Sequence, residues 1–146
     1  MTDINRVTGE VVDYDALRTF GDIARYHARQ RSKSIALSFE GRQTDFDTFD
    51  RHTDQVANQL LASGLASGQR IAYIGKNSDH FFELLFGAAK VGVVLTPIGW
   101  RLAAAEMAYI LHDSAAVLIF VGAEVAGAVE NAMRSLPVSS QKSAAT

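Results

Sequence analysis

Cysteine is absent from the 146 residues, which removes disulfides, zinc–thiolate sites and thiol nucleophiles together. That absence is compatible with a reducing compartment, and a cytoplasmic location is expected. Charge of one sign is also lacking. Fourteen basic against sixteen acidic residues leave a net charge of −2, so no overall field draws nucleic acid or an anionic membrane, and neither is expected as a partner. No long hydrophobic run is present either: the longest apolar-looking segment, Phe81 to Ile98, is interrupted by Glu83, Lys90 and Pro97, which excludes a membrane span. The opening MTDINRVTGEVVDYD has no continuous apolar region and no cleavage pattern of a signal peptide. What remains is an ordinary globular composition, 48% hydrophobic and 21% charged, in a chain long enough to bury roughly two-thirds of its unfolded surface.

The apolar periodicity sets out a series of elements. Leu17, Phe20, Ile23, Ala24 and His27 recur at helical spacing up to about residue 31. Ser34 to Glu40 reads as a strand, with a hairpin turn at Gly41-Arg42 into Gln43-Thr44. A one-sided helix follows, capped by Asp45 and carrying Phe46, Phe49, Val56, Ala57, Leu60 and Leu61 inward. Gly64 and Gly68 break it. Arg70 to Gly75 is a strand; Asn77-Ser78 offers a cap for a helix from about Asp79 to Val91; Gly92 stops that helix. Val93 to Leu95 has the unbroken apolar character of a strand covered on both faces, with Thr96 to Gly99 leaving the sheet. Helices over Leu102 to His112 and Ala123 to Leu136 flank a strand at Val117 to Val121. This alternation predicts an α/β fold, a mostly parallel sheet with right-handed crossovers and helices on both faces, preceded by a β hairpin. Residues 1–13 are expected to be an irregular lead-in, 14–136 a partial α/β lobe, and the small polar residues 137–146 a disordered tail.

The familiar chemical signatures are missing. Gly87-Ala-Ala-Lys-Val-Gly92 has the glycine spacing of a phosphate loop, but Val93-Val94 replace its Lys-Ser/Thr, and it runs from helix into strand. Asp45, Asp47, Asp50 and Asp54 lack the central glycine and closing glutamate of a calcium loop and fit a helix cap followed by a solvated face. His27, His52, His80 and His112 are scattered, without an HExxH pair. The basic run Arg25, His27, Arg29, Arg31 and Lys33, with Tyr26 interleaved, suits either a phosphate contact or cations at a helix C-terminus. There is no G-x-S-x-G serine. Trp100-Arg101 stands out. Either Trp100 fills a gap beside the sheet and Arg101 pairs with Glu106 or a backbone carbonyl, or both stand at the carboxyl edge of the sheet, where open α/β proteins bind ligands.

Read in order, Phe39 to Phe120 resembles the N-terminal part of the adenylate-forming (AMP-binding) enzymes, most of all the fatty-acyl and related acyl-CoA synthetases. The carrying residues are the strand and Gly41-Arg42 before Thr44 to Phe49, the turn Lys76-Asn77-Ser78-Asp79-His80-Phe81, the segment Lys90-Val-Gly-Val-Val-Leu-Thr-Pro-Ile-Gly99, and Trp100-Arg101-Leu102 followed by Glu106. Gly99 departs from the asparagine usual at that place. The resemblance implies a parent activity that turns a carboxylic acid and ATP into an acyl-adenylate and then transfers the acyl group to coenzyme A, with ATP, magnesium and coenzyme A as its cofactors. The family's phosphate loop, acidic metal motif, ribose-binding aspartate and C-terminal lysine have no counterpart here. Accordingly no catalytic, cofactor-binding or metal-ligating role is assigned to any position. The expectation is a truncated or split synthetase, inactive alone, whose partner is the remainder of the synthetase or a second copy. The alternatives are a non-enzymatic module that associates through an exposed sheet edge, and an independent nucleotide-binding α/β domain.

Overall fold

A computed structural model describes residues 13–134. The expected lead-in, apart from Asp13, and the expected tail lie outside the described residues. After a 3-10 turn at Tyr14–Ala16, helix α1 spans Asp22–Arg31. Its start is later than the apolar spacing suggests, because Asp22 turns back to accept from the Thr19 backbone N–H (2.8 Å) and hydroxyl (2.9 Å), fixing a turn ahead of the helix. Strands β1 (Ile35–Phe39) and β2 (Arg42–Asp45) pair antiparallel. Their loop is Glu40-Gly41, both at positive φ (47° and 79°), one residue earlier than the sequence suggests.

Helix α2 (Phe46–Ala62) opens on Asp45, whose Oδ1 accepts from the Thr48 N–H at 2.8 Å, the cap its sequence announces. Strand β3 (Arg70–Ile74), helix α3 (Asp79–Lys90), strand β4 (Val94–Ile98), helix α4 (Ala104–Ser114), strand β5 (Leu118–Val121), a 3-10 turn (Ala123–Val125) and helix α5 (Ala126–Arg134) follow. Ser78 caps α3 by accepting from the Phe81 N–H (3.2 Å). Here too the sequence differs in detail: Thr96-Pro97-Ile98 belongs to β4 and does not leave the sheet. Pro97 is tolerated because β4 is an edge strand of the described sheet.

The three parallel strands lie in the order β4-β3-β5. Alternation along β3 divides the interior in two. Ile71 faces a core with Leu60, Leu65, Leu84, Ala88 and Val93, beneath α2 and α3. Ala72 and Ile74 face the other core, with Met107, Leu111, Val125 and Val129, beneath α4 and α5. The doubly wound α/β architecture expected from the sequence is therefore the one observed.

Two contacts lock α2 to its neighbours. A Cβ on Gly87 of α3 would come within 2.6 Å of Val56 Cβ and 2.9 Å of the Thr53 carbonyl oxygen, so only glycine allows α2 and α3 this approach. The Lys90 ammonium, its side chain only 7% exposed, bonds Asp50 and lies 2.7 Å from Asp54, which also takes Arg25 at 3.0 Å. Asp50 and Asp54 are thus ion-pair partners that tie α1, α2 and α3 together, and the solvated face expected for them is corrected. Burial pushes the Asp54 carboxyl up, but the Lys90 hydrogen bond and charge with the Arg25 charge outweigh it and hold it below its ordinary value.

Gly87→Ala is expected to lower stability by about 1–3 kcal/mol, read by urea unfolding, because the added methyl must push two helices apart. Lys90→Met should cost about 2–3 kcal/mol, less than a fully buried broken pair, since Asp54 is partly hydrated. The depressed Asp54 carboxyl contributes stability that is present above its unfolded value of 3.8. That stability is lost as pH falls through the lower folded value, so unfolding midpoints of the Lys90→Met chain should fall less steeply with acid than those of the parent.

Candidate functional site at the carboxyl edge of the sheet

The parallel register sets Ile98 and Val121 on either side of Ile74, so β3, β4 and β5 end side by side. A glycine follows each end: Gly75, Gly99 and Gly122. A Cβ on Gly75 would meet the Tyr73 hydroxyl at 2.7 Å, and one on Gly122 would meet both Glu124 carboxylate oxygens at 2.7 Å. The glycines therefore make room for side chains that fold back over the strand ends. The chain crosses from β3 to β4 through α3 on one face and returns to β5 through α4 on the other, so the winding direction reverses at the carboxyl end of β3. Such a reversal is where ligands of doubly wound sheets bind.

Lys76, just past β3, is pinned twice. Its carbonyl accepts from the Tyr73 hydroxyl at 2.7 Å, and its N–H donates to Glu124 Oε1 at 3.0 Å. That second bond, foremost among the causes, holds the Glu124 carboxyl below its ordinary value. The Lys76 ammonium reaches over the Trp100 ring at 5.4 Å, and the Arg101 guanidinium stacks on the same ring at 4.4 Å. Trp100 is half-buried against the core beneath α4 and α5. Both halves of the tryptophan reading meet here, since it packs against the core and also stands at the carboxyl edge. The Arg101–Glu106 pair does not form: Glu106 instead accepts from the Ala103 N–H at 2.8 Å, closing the start of α4.

The other singled-out residues serve the fold. Gly87 lies inside α3, and the Val91 and Gly92 N–H groups donate to the Ala88 and Ala89 carbonyls at 3.1 and 3.2 Å, so Gly87 to Gly92 offers no ring of free amides to a phosphate. Asp45 caps α2, and Lys33 lies 3.3 Å from Asp45 and 3.6 Å from Asp47. Arg31 Nε donates to His27 Nδ1 at 3.2 Å and its guanidinium covers Phe46 at 4.8 Å. Most of the basic run thus has partners within the protein, and Arg29 and His112 are exposed. His52 and His80 are brought to opposite oxygens of Glu83, at 2.7 and 3.1 Å, a companion that their spacing along the chain conceals. Beside them Arg42 grips Asp79 through two hydrogen bonds of 3.1 and 3.0 Å. Among the described residues no group of three or more His, Asp or Glu side chains is placed to hold a metal ion. No chemical step is routed through ATP or magnesium here. Sequence reasoning missed Tyr73, Lys76 and Glu124; the recurring signal was a glycine directly after each apolar strand.

The arrangement can hold and orient. Two cations flank an indole at the carboxyl edge, while Glu124 is ionised and spent on an amide. The described residues give the edge no activated nucleophile and no paired acid and base.

Comparison with known proteins agrees with this fold. The family model described as AMP-binding enzyme matches residues 24–145. The fatty acid–acyl-carrier-protein ligase ScoC of Streptomyces coeruleorubidus is 41% identical over 114 residues, 78% of this chain and 22% of the relative. The long-chain-fatty-acid–CoA ligase FadD13 of Mycobacterium tuberculosis is 42% identical over 77 residues, 53% of this chain and 15% of the relative. Among solved structures, a Mycobacterium tuberculosis fatty acyl CoA synthetase superposes with a TM-score of 0.81 at 30% identity, over 89% of this chain and 26% of that one. The chain thus spans about a fifth of the length of the curated relatives it matches. No helix among the described residues is long and apolar enough to cross a membrane.

Glu124→Ala should release the Lys76 amide, raising its hydrogen-exchange rate about tenfold or more in NMR exchange measurements. In the parent chain that protection holds near and above the ordinary carboxyl value of 4.5. It should disappear as pH falls through the depressed value, because a protonated carboxyl accepts the amide less well.

Proposed function

The chain belongs to the AMP-binding enzyme family, and from that membership we propose that it forms the first lobe of the large domain of an AMP-forming acid–thiol ligase. Such an enzyme joins a carboxylic acid to AMP with release of pyrophosphate, and then passes the acyl group to a thiol. The observation that carries the reading is the 41% identity to a fatty acid ligase over 78% of the chain, on a sheet whose strand ends and crossovers suit a ligand at the carboxyl edge. A fatty acid or similar carboxylic acid is the substrate class this supports, with coenzyme A as the acceptor thiol.

Within that enzyme the lobe is scaffold. Its own residues build one wall at the carboxyl ends of β3, β4 and β5 and fix Lys76, Trp100 and Arg101 there. The charge stabilisation that adenylation demands is supplied by parts of the enzyme to which this chain has no matching residues.

The purified chain is expected to show no fatty-acid-dependent exchange of labelled pyrophosphate into ATP. Exchange is expected once the chain is joined with the remaining length of a homologous ligase. Exchange by the 146-residue chain alone would overturn the scaffold assignment, and its absence in the reassembled protein would overturn the ligase assignment.

A further inference from the structure

Lys76 is held more firmly than folding asks of an exposed loop residue. Its carbonyl accepts from the Tyr73 hydroxyl at 2.7 Å and its N–H donates to Glu124 Oε1 at 3.0 Å, although water can satisfy the backbone groups of an exposed loop. Each bond lies where a glycine leaves room. A Cβ on Gly75 would stand 2.7 Å from the Tyr73 hydroxyl, and one on Gly122 would stand 2.7 Å from both carboxylate oxygens of Glu124. Two side chains from different strand ends, each with its own glycine beside it, thus converge on the backbone of one residue.

What the two bonds fix is the direction of the side chain. The Lys76 ammonium lies over the Trp100 ring at 5.4 Å, and that ring is itself packed against the core beneath α4 and α5. The ammonium's charge acts on Glu124 at longer range, but the carboxylate gives its oxygen to the amide. Lys76 is exposed, so its ammonium is a point charge that a ligand anion can reach. Of the reactants in the proposed ligase reaction, the fatty acid is largely apolar, and the phosphates of ATP need groups to which this chain has no matching residues. The phosphates of the acceptor thiol remain.

We propose that Lys76 binds a phosphate group of the acceptor thiol in the second, acyl-transfer step, and that Glu124 is a positioning residue that acts through the Lys76 backbone. The inference rests on the proposed function for the identity of the acceptor. An arriving phosphate finds the ammonium already in place, and the hydrogen bonds from Tyr73 and to Glu124 reduce the freedom lost on binding. Without Glu124 the loop keeps only the Tyr73 bond, and the ligand itself must order the ammonium. The contact is to a group remote from the reacting carbonyl, so it sets affinity for the acceptor and not the rate of acyl transfer.

In the 146-residue chain Trp100 is the only tryptophan, so its fluorescence emission reports the ammonium beside it. Lys76→Met is expected to shift that emission and Glu124→Ala to shift it in the same sense. Glu124→Gln, which keeps an oxygen for the amide, should leave it at the parent value. Emission unmoved by Glu124→Ala, or moved as far by Glu124→Gln, overturns the positioning role. In the chain joined to the remaining length of FadD13, Lys76→Met and Glu124→Ala should each raise KM for coenzyme A about tenfold, with kcat within about twofold of the parent. Glu124→Ala made on the Lys76→Met background should add nothing, since it acts through the residue already lost. Additive effects, an unchanged KM for coenzyme A, or equal losses toward the fatty acid and ATP overturn the proposal. Pyrophosphate exchange by the joined parent is a separate readout: its absence sinks the ligase reading and the acceptor with it, while the emission result still decides whether Glu124 positions Lys76.

Discussion

Everything described depends on β3 being enclosed on all four sides. Two strands hydrogen-bond its edges, and helices cover both of its faces, so that Ile71, Ala72 and Ile74 have no exposed surface at all. A five-residue strand can be enclosed in this way only if the chain passes to one side of it, then crosses to the other with the intervening helices on opposite faces. Right-handedness of the crossovers then leaves a single winding. From that winding come two separate cores and the reversal point at the carboxyl end of β3.

The same constraint divides the polar residues by role. At the amino edge of the sheet, around the end of α3, charges are used to hold helices together. Lys90 is buried by packing and is paired by Asp50 and Asp54, since an unpaired ammonium there would cost several kcal/mol. At the carboxyl edge the charges are exposed and face outward, and the hydrogen bonds secure a loop. Tyr73 and Glu124 fix Lys76 from opposite sides. A rigid loop beside an indole flanked by cations is suited to placing a ligand, whereas the amino edge is closed by its own ion pairs.

Local physics made much of this readable from the residues alone. The caps Asp45 and Ser78, the glycine stop at Gly92 and the alternation of short apolar strands with longer helices are short-range signals, and the elements follow them within a few residues. The departures come from long-range partners. Asp50 and Asp54 look like a solvated helix face until α3 brings Lys90 against them. Glu83 joins His52 and His80 across two helices, and nothing in their spacing declares it. Pro97 looks like a strand breaker, yet its side of β4 faces no strand among the described residues, so no ladder bond there lacks its N–H. Spacing allows Arg101 to pair with Glu106 or a backbone carbonyl, but the start of α4 has an N–H in need of that carboxylate and the Trp100 ring offers the guanidinium a surface. The candidate site was half legible: Trp100 and Arg101 stood out as residues, while Tyr73, Lys76 and Glu124 become its supports only when three strand ends align.

The most direct test of the enclosed central strand is native-state amide hydrogen exchange measured residue by residue. The topology predicts that the amides of Ile71 to Ile74 exchange most slowly, through global unfolding alone, with those of the β1–β2 hairpin opening at much lower free energy. If the β3 amides exchange as fast as the hairpin, the strand is not the enclosed centre of a parallel sheet, and the winding and the carboxyl-edge site fall with it.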